Sequence, residues 1–123
     1  MKPTDSELEI LQVLWLQGPS TVRFVHNNLH KEQPRTYTTT LKTMQVVFDK
    51  GLLKRDASQR SHIYTANVSK EHIQTDIISK LKSTVFDGST SQLVISAIGQ
   101  DKPSKKELEV IRALIDKLDK EHD

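Results

Sequence analysis

Thr38, Thr39 and Lys42 stand at a spacing that sets two hydroxyls and an ammonium on one face of a helix. Groups of these types donate hydrogen bonds to phosphate oxygens and reach base edges in the major groove of a DNA duplex. Arg35, Thr43 and Val46 fall on the same face. A second cationic set follows. Lys54 sits in an extended run, and Arg60 lies in the polar stretch Asp56-Ala57-Ser58-Gln59-Arg60-Ser61-His62. An arginine at a hairpin tip can meet a phosphate or enter a minor groove. Arg23 and Arg55 are further phosphate candidates. Taken singly, each of these residues reads equally well as solvated surface, so the case rests on the elements that hold them together.

Other chemistries find less support. His26 and His30 are four residues apart, a spacing that can hold a metal ion on one helix face, but the sequence offers no third ligand. Two solvated histidines, with no metal and no cofactor, is the expectation. There is no cysteine nucleophile, no glycine-rich phosphate loop and no paired-carboxylate motif, so no enzyme and no small-molecule substrate are expected.

The elements follow from capping signals and periodicity. Thr4-Asp5-Ser6-Glu7 is a capping box. The helix it opens carries Leu8, Leu11, Leu14 and Trp15 on one stripe and ends at Gly18-Pro19. Ser20 or Thr21 caps a second helix with Val22, Val25 and Leu29, which Pro34 terminates. A third helix spans about Thr36 to Lys50, with Tyr37, Leu41, Met44, Val47 and Phe48 inward. The threonine run lowers helix propensity and could suggest a strand over Tyr37–Thr40, but the apolar stripe continues to Phe48. Two extended runs, Leu52–Arg55 and Ile63–Ala66, flank the basic loop as a hairpin. Three helices and a hairpin make a winged helix-turn-helix.

Beyond Ser69 the pattern changes. One helix carries Ile73, Ile77, Leu81 and Val85, and a short one carries Leu93, Val94, Ile95, Ala97 and Ile98. A second capping box, Ser104 to Glu107, opens a last helix with Leu108, Ile111, Ile115 and Leu118 on a two-heptad seam. The expected fold is mainly α with a small β-hairpin. Residues 1–68 form a winged-helix DNA-binding domain and residues 69–123 a helical dimerisation domain. The latter segment is too short to bury a core alone, and a second copy is the simplest partner for its seams. Ile73, Ile77, Leu81, Leu108, Ile111, Ile115 and Leu118 are the expected dimerisation residues.

Charge agrees with this division. The 123 residues carry a net charge of only +2. Residues 20–65 hold eight Lys/Arg against three acids, about +5, whereas residues 69–123 hold nine basic and ten acidic side chains, about −1. No run is long and apolar enough to span a membrane and no signal pattern opens the chain, so a cytoplasmic location is expected.

The ordered set Thr4-Asp5-Ser6-Glu7-Leu8-Glu9-Ile10-Leu11 with Leu14-Trp15, then Tyr37-Thr38-Thr39 with Leu41, Lys50-Gly51-Leu52-Leu53, and Arg60 with Tyr64 resembles the penicillinase-repressor family of bacterial transcriptional repressors (the BlaI/MecI/CopY type). The resemblance implies a dimer that binds inverted-repeat operators in double-stranded DNA and blocks transcription. It implies that Thr38, Thr39 and Lys42 face DNA and that Arg60 belongs to the wing. Val46 departs from the family, which often carries an arginine there. In the antibiotic-resistance branch the resemblance implies release by a membrane sensor protease that cuts an Asn-Phe pair. The matching pair here is Ser96-Ala97, another departure. The copper-sensing branch uses a cysteine cluster, and this chain has no cysteine. The alternative is a winged-helix protein-interaction module that leaves its basic face off DNA.

Overall fold

A computed structural model describes residues 2–30 and 34–122. Lys31, Glu32 and Asp123, which entered the charge counts, lie outside the described residues. The chain divides into two compact units, Met1–Asp76 and Ile77–Asp123, and the boundary falls within a helix.

In the first unit, α1 (Asp5–Gln17), α2 (Val22–Asn27) and α3 (Tyr37–Asp49) precede β1 (Leu53–Asp56) and β2 (Ile63–Ala66). α1 begins at the full Thr4/Glu7 capping box. Thr21, not Ser20, caps α2 by accepting the Phe24 N–H. Ser20 is used otherwise: it pairs antiparallel with Tyr64, exchanging both backbone hydrogen bonds at 3.0 and 2.8 Å. α2 stops at Asn27, short of Leu29, which still packs against the core from the following turn. Asn28 closes the helix by donating its side-chain amide to the Phe24 carbonyl.

The threonine run is helical despite its propensity. Thr36 caps α3 by accepting the Thr39 N–H, and the buried side chains Met44 and Val47 anchor its inner face. Tyr37, Leu41 and Phe48 pack on the same cluster. Gly51 ends the helix at φ +82°, donating its N–H to the Phe48 carbonyl at 2.9 Å. A left-handed residue there turns the chain sharply into β1, and only glycine adopts that conformation without steric cost. β1 begins one residue later than the hydropathy pattern predicts, because the Leu52 N–H bonds back to Val47. β1 and β2 pair antiparallel with Arg55 opposite Tyr64 and Lys54 opposite Thr65. Tyr64 sits fully inside, edge-on to Phe48. The Trp15 indole N–H donates to the Val68 carbonyl at 2.9 Å, fastening the end of the hairpin segment to α1.

α4 (Lys70–Thr84) starts where Ser69 accepts the His72 N–H and runs across the unit boundary. Asp87 and Gly88, both at positive φ, turn the chain into α5 (Thr90–Gln100). α6 (Lys105–Glu121) begins at the Ser104/Glu107 capping box. Neither α5 nor α6 buries a single residue. Val110, Leu114, Ile115 and Leu118 are exposed.

Candidate nucleic-acid interface

The outward face of α3 sorts its four threonines by the helical period. Thr38 and Thr39 are exposed, Thr43 is half-buried and Thr40 is fully buried. Thr36 donates its hydroxyl to Thr39 Oγ1 at 3.0 Å. Among the described residues no acceptor takes the Thr39 hydroxyl proton, which leaves it for an outside partner. Thr43 differs, because its hydroxyl donates to the Thr39 carbonyl at 2.9 Å. Such back-bonding satisfies the group within the helix and weakens its claim on a ligand. Lys42 is exposed beside Thr38 and Thr39, and Val46 presents an apolar spot that is 45% exposed.

Thr40 was not singled out by sequence reasoning. Its Oγ1 lies 2.7 Å from His26 Nδ1, bonding α2 to α3. The His26 ring also meets the Tyr37 ring edge-on at 5.7 Å. His26 is therefore engaged in the angle between the two helices, while His30 is exposed. Among the described residues there is no group of three His, Cys, Asp or Glu side chains that could hold a metal ion.

Both ends of α3 are tied to α1 by ion pairs. Arg35, just ahead of α3, forms a charge-assisted hydrogen bond to Glu9, and its side chain is only 11% exposed. Lys50, at the C-cap, lies 2.6 Å from Glu7, which is 5% exposed. Burial pushes the Glu7 carboxyl up. The hydrogen bond from Lys50, the N–H of Thr4 and the Lys50 charge outweigh it and hold Glu7 below its ordinary value. Arg35 thus has an internal partner that the sequence did not reveal.

The wing carries further cations. Lys54 and Arg55 are exposed on β1, and Arg60 is exposed in the connecting loop. Asp56 accepts the Ser58 N–H at 2.9 Å, folding the loop base on itself. Hydrogen bonds from the side chain and backbone of Ser58 lower the Asp56 pKa. A groove of about 320 Å³ runs between α2, α3 and the wing, with Arg23, Gln45, Arg55, Arg60 and His62 among its walls. Gln45 could have been found from sequence, since Thr38, Lys42 and Gln45 stand at i, i+4 and i+7.

A family model described as the penicillinase repressor matches residues 3–117. The chain belongs to the penicillinase-repressor family. It is a DNA-binding repressor with a winged helix, and the family is one of transcriptional repressors, not enzymes. The solution structure of the DNA-binding domain of the repressor BlaI is similar at 26% identity. It covers 57% of this chain and 90% of that one, with a TM-score of 0.49. No curated protein matches the chain. No helix among the described residues of this penicillinase-repressor family member is long and apolar enough to cross a membrane.

Proposed function

We propose that the chain represses transcription as a homodimer on an inverted-repeat operator, with residues 1–68 reading DNA and residues 69–123 joining the two copies. The observation that carries this reading is the outer face of α3. Thr38, Thr39 and Lys42 are exposed, while the cations at both ends of the helix are tied to α1. That face suits a major groove, with Thr39 donating to a base edge or phosphate and Lys42 meeting a phosphate. Val46 contributes an apolar contact of the kind that meets a thymine methyl. Lys54 and Arg60 grip flanking backbone. Arg35 acts mainly by holding α3 against α1, and Thr43 adds at most a side contact through its methyl.

Dimerisation is supported by the helices that bury nothing. Leu108 and Ile111 are half-buried on α6, and Ile115 and Leu118 continue the seam exposed. Ile77 is half-buried and Leu81 exposed on α4. Ile73 is buried within the single chain, so it supports the helix from inside and leaves the contact with a second copy to the others. Release by a membrane sensor protease at Ser96-Ala97 fits the exposure of both residues on α5. The helix must unwind for the bond to be cut, which is easier where no side chain is buried. Losing the dimer removes the avidity of two linked half-sites and leaves the reading head intact. Such a repressor works in the cytoplasm, beside the DNA.

The test is fluorescence anisotropy with duplexes from the adjacent promoter over a salt series. Affinity should fall steeply with salt. Thr39→Ala should reduce the preference for promoter over mixed-sequence duplex by about 1 kcal/mol, the low end for a base-edge contact. Absence of duplex binding at low salt would defeat the reading in favour of a protein-interaction module.

A further inference from the structure

We infer that Arg23 and Arg55 form a pre-ordered phosphate clamp in the groove beside the reading helix, an inference that rests on the DNA reading above. The guanidinium of Arg23 lies 4.1 Å over the Tyr37 ring, at the N-terminal end of α3. That of Arg55 lies 4.2 Å over the Phe48 ring, at its C-terminal end. Stacking occupies the flat π-face of a guanidinium. A guanidinium has five N–H donors in its plane, so contact through its face can leave donors available to an oxygen ligand. Among the described residues neither arginine forms an ion pair or a side-chain hydrogen bond. Arg35 shows the opposite arrangement, with its donors spent on Glu9.

The surroundings fit an anion. Both stacked arginines line the groove between α3 and the wing, which also takes in Arg60 and His62 and has no carboxylate in its walls. The rings are themselves fixed. Phe48 packs edge-on to buried Tyr64, and Tyr37 edge-on to His26. Each guanidinium is thus held on a rigid platform before any ligand arrives, and less side-chain freedom is lost on binding than for a loose surface lysine. Backbone phosphates of the duplex that α3 meets are the ligands of matching charge. The tie between the two cations and the core explains why residues that look like ordinary core aromatics, Tyr37 and Phe48, lie at the edge of the interface and are only partly buried.

The test uses the full chain and a short mixed-sequence duplex, because phosphate contacts carry no sequence information. Log affinity is plotted against log salt for the unsubstituted chain, Arg23→Gln, Arg55→Gln and Arg35→Gln. Each of the first two should lower the slope by about 0.9 per lost contact in each bound chain. Arg35→Gln should leave the slope unchanged and lower the melting temperature. Arg55→Lys should keep the slope and lose affinity severalfold at every salt concentration, since the charge stays but the flat fork is gone. Arg55→Lys binding like the unsubstituted chain overturns the role of stacking. Unaltered slopes in Arg23→Gln and Arg55→Gln, with steep salt dependence in the unsubstituted chain, overturn the clamp alone. No duplex binding by the unsubstituted chain at low salt overturns the DNA reading beneath it.

Discussion

Lys50→Met isolates the tie between α1 and the end of α3. Methionine keeps most of the aliphatic stem and leaves the backbone of the C-cap, which is already right-handed, undisturbed. What remains is a Glu7 carboxylate that is 5% exposed and retains the Thr4 N–H at 2.9 Å as its main donor. Stranding one partner of a fully buried ion pair costs about 3–5 kcal/mol. Here the lysine side chain is 22% exposed and one strong donor survives, so the loss should be nearer about 2 kcal/mol. For a unit of this size that lowers the melting temperature by roughly 10 °C. The pH dependence distinguishes a charge effect from a packing effect. In the unsubstituted chain Glu7 has a depressed pKa, so its contribution is complete above the ordinary value of 4.5 and is lost as pH falls through the native value. In Lys50→Met burial is opposed only by the Thr4 bonds, so the native pKa rises relative to that of the unsubstituted chain, and the difference between the two chains fades once Glu7 is protonated. The gap between the two melting curves should therefore be widest at neutral pH and narrow as pH drops past 4.5. Circular dichroism melts at fixed chain concentration measure it. A neutral-pH difference under about 1 °C, or a gap that stays constant down to about pH 3, would refute the argument, because a stranded carboxylate must be relieved by protonation.

Two further substitutions test the turn and the seam. Gly51→Ala forces a Cβ onto φ +82°, and no heavy atom lies within 4 Å of that Cβ, so the cost is purely torsional. A loss of about 1 kcal/mol in the melt of the first unit is expected; no loss would mean that the turn relaxes freely. Joint replacement of Ile111 and Ile115 by aspartate should convert a dimer to monomer by analytical ultracentrifugation, through about 2 kcal/mol of lost burial per chain and the desolvation of new charges. A dimer that persists would move the contact to the Ile77/Leu81 face of α4.

The elements were legible because their signals are local. Thr4 with Glu7, and Ser104 with Glu107, close capping boxes within a single turn, and the stripe from Tyr37 to Phe48 is enough to override a run of β-branched residues. Assigning roles on the α3 face was harder, since a hydroxyl or guanidinium on a helix wheel shows direction and not occupancy. Thr43 points outward by period yet bonds its own backbone, and Thr40 points inward to a histidine fourteen residues earlier. Arg35 is the sharpest case. By type and position it is an ideal phosphate ligand, but its partner Glu9 lies 26 residues away on another helix, beyond the reach of any periodicity. Arg23 and Arg55 carry the same charge and look less favourable in sequence, yet each sits over an aromatic ring and has no carboxylate partner among the described residues. A cation's availability is set by which of its surfaces the fold consumes. On that criterion the proposed electrostatic grip moves off the start of α3 and onto the groove between α3 and the wing.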